Sequence, residues 1–367
     1  MNKNLPMRQN TQVALRKAKS LIGATDRILA ERETRLATSD DGWMQRLWDW
    51  ADENGLPDAT WVEEEGGFWD GLPREKQALL SLTQLNLFDD NLTMLSPEIG
   101  RLMCLVELTL FGTQVTELPP EIGRLIKLEI LVLIKNCLTK LPPEIGNLTD
   151  LQELDLCENC LTKLPPEIGR LTNLKELGIW DNLLTELPPE IGRLTNLQTL
   201  ELRRNHLVQL PPEIGGLTSL RELDLYNNQM MDLPSEIGSL TNLQELDLHE
   251  NRLMKLPSGI GKLTKLERLH LSKNQLTELP PEIGQLTNLV FLHLDENHLT
   301  ELPPKIWEIT NLEWLILGDN QLTKLPPEIC NLTKLTSLVL KGNPLHLTGA
   351  QKNWITRLKE RGCEVGL

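Results

Sequence analysis

Residues 141–163 read LPPEIGNLTDLQELDLCENCLTK, and residues 164–186 repeat the pattern as LPPEIGRLTNLKELGIWDNLLTE. The shared unit is LPPEIGxLTxLxxLxLxxNxLTx, 23 residues long. Its asparagine recurs at Asn136, Asn159, Asn182, Asn205, Asn228, Asn251, Asn274, Asn297, Asn320 and Asn343. Carried towards the N-terminus, the same interval reaches Thr113 and Asp90, so eleven intervals of 23 join Asp90 to Asn343 without an insertion. Twelve units therefore fill about residues 78–345. No helix or strand period accounts for a register of that length, which signals like-for-like stacked units.

Each position of the unit has a physical reading. The LxL pair, such as Leu246 and Leu248, alternates inward on a short strand while Asp247 faces out. The chain then turns, and an asparagine such as Asn251 satisfies backbone groups of that turn, so stacked copies form a ladder. Pro142–Pro143 and Pro165–Pro166 fix φ and donate no hydrogen bond, which suits a return segment away from the sheet. Pro followed by Glu opens a short helical turn, with the carboxylate near its N-terminus. Ile145 fills the core, and Gly146 is expected to permit a bend.

On these residues the chain resembles the leucine-rich repeat proteins, specifically the LPxEIGxLxxLxxLxLxxNxL variety of intracellular Ras-group and many bacterial repeat proteins. The resemblance covers nearly three-quarters of the chain. It implies an α/β solenoid, a curved horseshoe with a parallel β-sheet on its concave face. Departures cluster at the start, where Asp90 and Thr113 replace Asn and Ser96 replaces the first Pro. Later, Gly259 replaces Glu, Cys330 replaces Gly, and Trp307 stands where Gly is usual.

An open solenoid needs closed ends. Residues 1–77 are expected to form a helical, Trp-rich N-terminal region and cap, and residues 346–367 a helical C-terminal cap. Residues 11–38 carry a helical pattern with Ala14, Leu15, Ala18, Leu21, Ile22, Ile28 and Leu29 apolar. Residues 1–36 hold eight basic and three acidic side chains, whereas residues 37–77 hold three basic and eleven acidic. The second piece contains five of the nine tryptophans, Trp43, Trp48, Trp50, Trp61 and Trp69. WMQRLWDWADENGL, from Trp43, predicts a short helix with Trp43, Leu47 and Trp50 on its inner face and a stop at Gly55. It serves either as a cap on the first repeat or as a partner-docking helix. Gly349–Arg361 predicts an amphipathic helix with Trp354, Ile355 and Leu358 inward, ended by Gly362 and followed by an extended segment at Cys363 and Val365.

The composition bounds the function. The chain has 367 residues, 52 acidic and 37 basic, for a formal charge of −15, with 40% hydrophobic and 4% aromatic residues. Such an acidic chain is a poor binder of nucleic acid or anionic membranes. No apolar run approaches the roughly 18 residues of a membrane span, and the first thirty residues show no secretory signal pattern. Six cysteines spread through a long chain fit a reducing compartment, so a cytoplasmic location is expected.

Catalytic motifs are missing. GIGKLT at 259–264 lacks the Ser or Thr of a phosphate loop and is repeat grammar. Cys157 and Cys160 form CxxC without the βαβ setting of a redox site. Cys137 and Cys160 hold equivalent positions in adjacent repeats, ~4.8 Å apart by strand spacing, and reduced thiols are the default reading. Asn-Leu-Thr at 91, 147 and 331 is discounted as a glycosylation signal. No enzyme activity, no cofactor and no small-molecule substrate are expected.

Specificity is expected on the outward strand positions, which packing leaves free. Phe88, Phe111, Ile130, Val132, Ile134 and Trp180 give an apolar zone across the early repeats. Glu153, Asp155, Glu176, Glu201, Glu222, Asp224, Glu245 and Asp247 give an acidic band, with Tyr226 and His249 beside it. Phe291, Trp314 and Ile316 give a second apolar spot. Aromatic anchors beside a charged band match the anatomy of protein interfaces. His270 and His293 should be neighbours, with His249, Asp247 and Asp295 nearby, which leaves metal binding and pH sensing open. The expected function is a non-enzymatic protein-interaction scaffold whose partner is a protein or peptide with basic and apolar features. The alternative is a bacterial effector delivered to a host, also acting by binding.

Overall fold

The computed structural model describes residues 41–62, 68–88 and 91–367. The helix expected over residues 11–38, and the repeat position Asp90, lie outside the described residues.

One sheet runs through the molecule. A hairpin of β1 (Thr60–Val62) and β2 (Phe68–Asp70) leads into β3 (Gln84–Leu87) and β4 (Glu107–Leu110). Three-residue strands follow, one per repeat, from β5 (Ile130–Val132) to β14 (Ser337–Val339), and β15 (Glu364–Gly366) closes the edge. From β2 onward each strand pairs in parallel with its successor. Register is like for like: Leu246 sits between Leu223 and Leu269. The central leucine is buried, and its neighbours on the strand face outward.

Most return segments are an extended Pro-Pro stretch followed by a five-residue 3₁₀ helix such as Pro143–Asn147, with proline at its first position and Glu144 in its first turn; Ser96, Ser235 and Ser258 each replace one of the two prolines. Ile145 is fully buried beneath it. Strands ~4.8 Å apart on one side and bulkier helical turns on the other bend the stack, which puts the sheet on the concave face of a horseshoe.

Gly146 does not make a bend. A Cβ there would lie 2.5 Å from the Glu167 carbonyl oxygen of the next repeat. Gly100, Gly123, Gly169 and Gly192 are in the same position, 2.2 to 2.5 Å from the following repeat's backbone oxygen. The glycine is there so that successive 3₁₀ helices can touch. Trp307 breaks that rule and is buried. The helix that carries it, Pro304–Glu308, packs more loosely on Pro327–Asn331 than other neighbouring pairs do.

The asparagine ladder is present as expected. The Asn251 side-chain nitrogen donates to the carbonyls of Leu225, Leu248 and His249 at 2.9, 3.1 and 3.3 Å, and its oxygen accepts from the Met230 N–H at 2.9 Å. The residue before each ladder asparagine is left-handed. Lys135, Glu158, Asp181, Arg204, Asn227, Glu250, Lys273, Glu296 and Asp319 all have φ between 48 and 58°. Backbone bonds to the next repeat hold them there, as with Glu250 N–H to Ser272 C=O at 3.0 Å. Side chains at that angle cost on the order of 1 kcal/mol each, and Gly112 and Gly342 avoid the cost near the two ends.

Both ends carry helices. α1 (Gly42–Glu53) buries Trp43, Met44, Leu47 and Ala51 and ends at Gly55, whose φ is 71°. Trp50 also packs against the core, as expected, but is not fully enclosed. It is half-buried at the rim and donates its indole N–H to the Met94 carbonyl at 3.1 Å. Arg46 ties the helix to Glu98 of the first repeats at 2.7 Å. A second helix, α2 (Lys76–Leu80), precedes β3. At the other end α3 (Gly349–Glu360) buries Trp354, Ile355 and Leu358, as expected. It is fixed by a capping box between Thr348 and the buried Gln351. Gly362 at φ 85° turns the chain into β15.

Candidate functional site

The outward strand residues form three columns running across the repeats. Those nearest the N-terminal edge are apolar. Phe88 and Phe111 are 45% and 44% exposed, and their rings lie 6.4 Å apart. Ile130, Val132, Ile134 and Trp180 are half-buried, with Glu153 and Asp155 the register partners of Ile130 and Val132. Exposed apolar surface is thus concentrated on the phenylalanine pair. At the far end Phe291 and Trp314 stack at 5.7 Å and 27°, with Trp314 38% exposed and Ile316 half-buried beside them. The two aromatic pairs stand at opposite ends of the carboxylate band.

Within the band, like charges face each other. Glu201, Asp224 and Asp247 are register partners on successive strands, as are Glu222 and Glu245. Like charges directly opposite one another on a sheet repel. Burial, reinforced by Glu176, Asp155 and Glu107, pushes the Glu153 carboxyl up. Burial also raises Glu201, against the pull of Arg203. Asp247 is pushed up to about 6 by burial, although the His249 N–H it accepts works the other way. Asp155, Asp224 and Asp247 each accept the backbone N–H two residues on, from Cys157, Tyr226 and His249 at 3.0, 2.9 and 2.8 Å. These three aspartates therefore have a local structural task as well as an outward charge.

Two arginines engage the band, Arg203 within it and Arg268 at its C-terminal end. Arg203 lies 4.6 Å over the Trp180 ring and 3.5 Å from the Asp224 carboxylate. Arg268 lies 5.4 Å over Phe291 and 3.1 Å from Glu245. Neither pairing was read from the sequence, although the 23-residue offset within one column was the available signal. A second ladder was also missed. On the sheet's approach loops Asn173, Asn196, Asn242, Asn288 and Asn311 donate to the threonine carbonyl of the preceding repeat at 2.8 to 2.9 Å.

The histidines meet as expected. His270 and His293 are register partners with rings edge to face at 4.7 Å, and Tyr226 lies 5.3 Å from His249. Burial lowers both His270 and His293. Among the described residues no group of three or more His, Cys, Asp or Glu is placed to hold a metal ion. An open groove of about 440 Å³ beside the strands is lined only by polar residues, among them Glu129, Gln152, Asn173 and Lys175. Small-molecule sites are typically enclosed and mostly apolar, unlike this one. No helix among the described residues is long and apolar enough to cross a membrane.

Comparison with known proteins agrees with this architecture. The model described as leucine-rich repeat region matches residues 74–180, 165–250 and 213–290, and one described as leucine rich repeat matches 287–345. None of the curated proteins matches. A solved leucine-rich-repeat protein of Leptospira interrogans is 37% identical, with 80% of this chain and 86% of that one covered and a TM-score of 0.57. The plant peptide hormone receptor RGFR1 in complex with RGF2 is 33% identical with a TM-score of 0.67, covering 75% of this chain but only 46% of the receptor chain. An internalin from Listeria monocytogenes is 23% identical over 79% of this chain and 88% of that one, with a TM-score of 0.60, a likeness of fold. The chain belongs to the leucine-rich repeat family.

Proposed function

We propose that this protein is a non-enzymatic interaction module that binds a protein or peptide partner on its concave sheet. One observation carries the reading: a row of facing carboxylates flanked at both ends by aromatic pairs, the exposed Phe88–Phe111 and the stacked Phe291–Trp314, of which Trp314 is exposed. Such a surface suits a partner that is basic in its middle and apolar towards its ends. The plant receptor in complex with RGF2 supports a peptide or protein as the class of ligand. The cysteine distribution supports a reducing, cytoplasmic setting and a scaffold role there.

The test is selection of displayed peptides on the full chain, with counter-selection on a Phe88→Glu, Phe111→Glu, Trp314→Glu variant whose circular dichroism matches wild type. Enriched peptides rich in Lys, Arg and aromatic residues support the reading. Peptides that bind both proteins equally remove the concave face from consideration.

A second reading has one observation in its favour. The 37% identity to a leucine-rich-repeat protein of Leptospira interrogans supports a bacterial chain, and on this reading the chain acts by binding after delivery to a host. Detection of the protein in host cells, in an assay with a reporter fusion, separates it from a resident scaffold.

A further inference from the structure

We propose that Cys137 and Cys160 form a modification site, a thiol pair that closes to a reversible disulfide between adjacent repeats. Both are free and exposed. Each is the residue immediately after a ladder asparagine, Asn136 and Asn159, so the two occupy the same place in consecutive units. Their backbones are held on both sides. Cys137 N–H donates to Val115 C=O at 3.0 Å, and Cys160 N–H donates to Leu138 C=O at 2.9 Å. The Leu138 N–H donates in turn to the Asn159 side-chain oxygen at 3.0 Å. The repeat therefore fixes the separation of the two Cα atoms at one unit, ~4.8 Å, inside the range of about 4.4 to 6.8 Å that a disulfide spans.

The parallel side chains set the character of the bond. Translation by one repeat also leaves the Cβ atoms ~4.8 Å apart, beyond the usual distance of about 3.8 Å. Closing the bridge draws two repeats slightly together, and strained, exposed disulfides are the easily reduced kind. The pair is thus suited to a switch and not to a permanent staple. Cys157, three residues before Cys160, does not compete. It lies on the concave face, fully buried, and burial together with Asp155 holds its thiol protonated.

The chemistry is thiol–disulfide exchange with a low-molecular-weight disulfide, taking glutathione disulfide as the oxidant. The Cys160 thiolate attacks one sulfur of glutathione disulfide, whose S–S bond breaks to release one glutathione thiolate. The Cys137 thiolate then attacks the Cys160 sulfur of the mixed disulfide and releases the second glutathione. Two protein thiols are oxidised, one glutathione disulfide is reduced to two thiols, and the two protons pass from the protein to the released glutathiones. The second step is intramolecular and gains the effective concentration of a neighbouring group.

The test equilibrates the full chain in a series of reduced-to-oxidised glutathione ratios, blocks remaining thiols with N-ethylmaleimide and maps peptides by mass spectrometry. Wild type, Cys137→Ser, Cys160→Ser and Cys157→Ser are compared, with circular dichroism recorded at each ratio. Wild type and Cys157→Ser should lose Cys137 and Cys160 together as a bridged peptide. The oxidised fraction required should be at least about tenfold lower than that which glutathionylates the lone cysteine in either single variant. Independent glutathionylation of the two cysteines in wild type, a Cys157–Cys160 bridge, or a bridge that appears only with loss of the circular dichroism signal would each overturn the proposal.

Discussion

Asn205 and Leu184 belong to successive repeats, yet the Leu184 N–H is satisfied by the Asn205 side-chain oxygen at 2.9 Å. The same side chain donates to the Ile179, Leu202 and Arg203 carbonyls at 2.9, 3.1 and 3.4 Å. One buried amide thus joins two turns of the solenoid. Asn205→Ala leaves that N–H and those carbonyls short of partners in a site that water does not reach. A loss of about 2–4 kcal/mol is expected, measured by urea unfolding. Asn205→Thr should lose less, since Thr113 holds the equivalent place in an early repeat.

Gly146→Ala tests the close approach of the 3₁₀ helices. The added methyl meets the Glu167 backbone oxygen, which cannot swing aside as a flexible side chain would. The expected cost is about 1–3 kcal/mol, the usual range for overpacking. Gly349→Ala serves as the control, because nothing lies within 4 Å of a Cβ there. It should be neutral or slightly stabilising, as Ala is the better helix former.

The period, the strand leucines, the asparagine ladder and the C-terminal helix were legible because each is a like-for-like repetition or a plain amphipathic pattern. Trp354, Ile355 and Leu358 lie where spacing put them. The left-handed residues were not legible. Lys135, Glu158 and Arg204 carry no glycine signature, since the conformation is imposed by hydrogen bonds from the next repeat and not by local preference. The role of Gly146 was misread for a related reason: a close approach between repeats leaves the same letter as a bend. On the concave face the columns and the His270–His293 contact followed from register alone. How far Trp180 protrudes did not, because exposure depends on neighbouring side chains such as Arg203, which lies over its ring.

The charge on Asp247 should cost stability at neutral pH. Its folded pKa of about 6 lies above its ordinary 3.8, so the folded state holds the proton more tightly than the unfolded chain. Stability from this group therefore falls as pH rises between those two values and stays reduced above them. Asp247→Asn keeps an oxygen to accept the His249 N–H and removes the charge. After allowance for solvent screening, a gain of about 1–2 kcal/mol is expected at neutral pH. The gain should vanish below the unfolded value of 3.8. Paired urea titrations of wild type and variant across that range check it.

His270 and His293 should act in the opposite sense. Burial depresses both, so below 6.5 the unfolded chain takes up protons that the folded state refuses. Their contribution is complete above 6.5 and is lost as pH falls towards the folded values. A His270→Gln, His293→Gln variant should show a flatter stability profile over that window. An unchanged slope in thermal melts would assign the acid sensitivity to other groups.

If the concave face binds a basic and apolar segment, its charges and its aromatic pairs should fail in different ways. Burial raises the Glu201 carboxyl, and among the described residues neither Glu201 nor Glu222 has an arginine salt bridge of its own, unlike Asp224 and Glu245. Neutralising both as Glu201→Gln, Glu222→Gln should slow association with a selected basic peptide and cut affinity by about tenfold at low salt. As salt is raised and the Debye length shortens, to about 8 Å at physiological ionic strength, that difference should shrink, because the lost attraction is mostly steering. Phe88→Ala, Phe111→Ala should instead speed dissociation by a similar factor at every salt concentration, since it removes buried contact and not charge. Association and dissociation rates measured over a salt series therefore separate the two contributions. A carboxylate variant whose deficit persists undiminished at high salt would mean that Glu201 and Glu222 make direct, desolvated contacts with the partner.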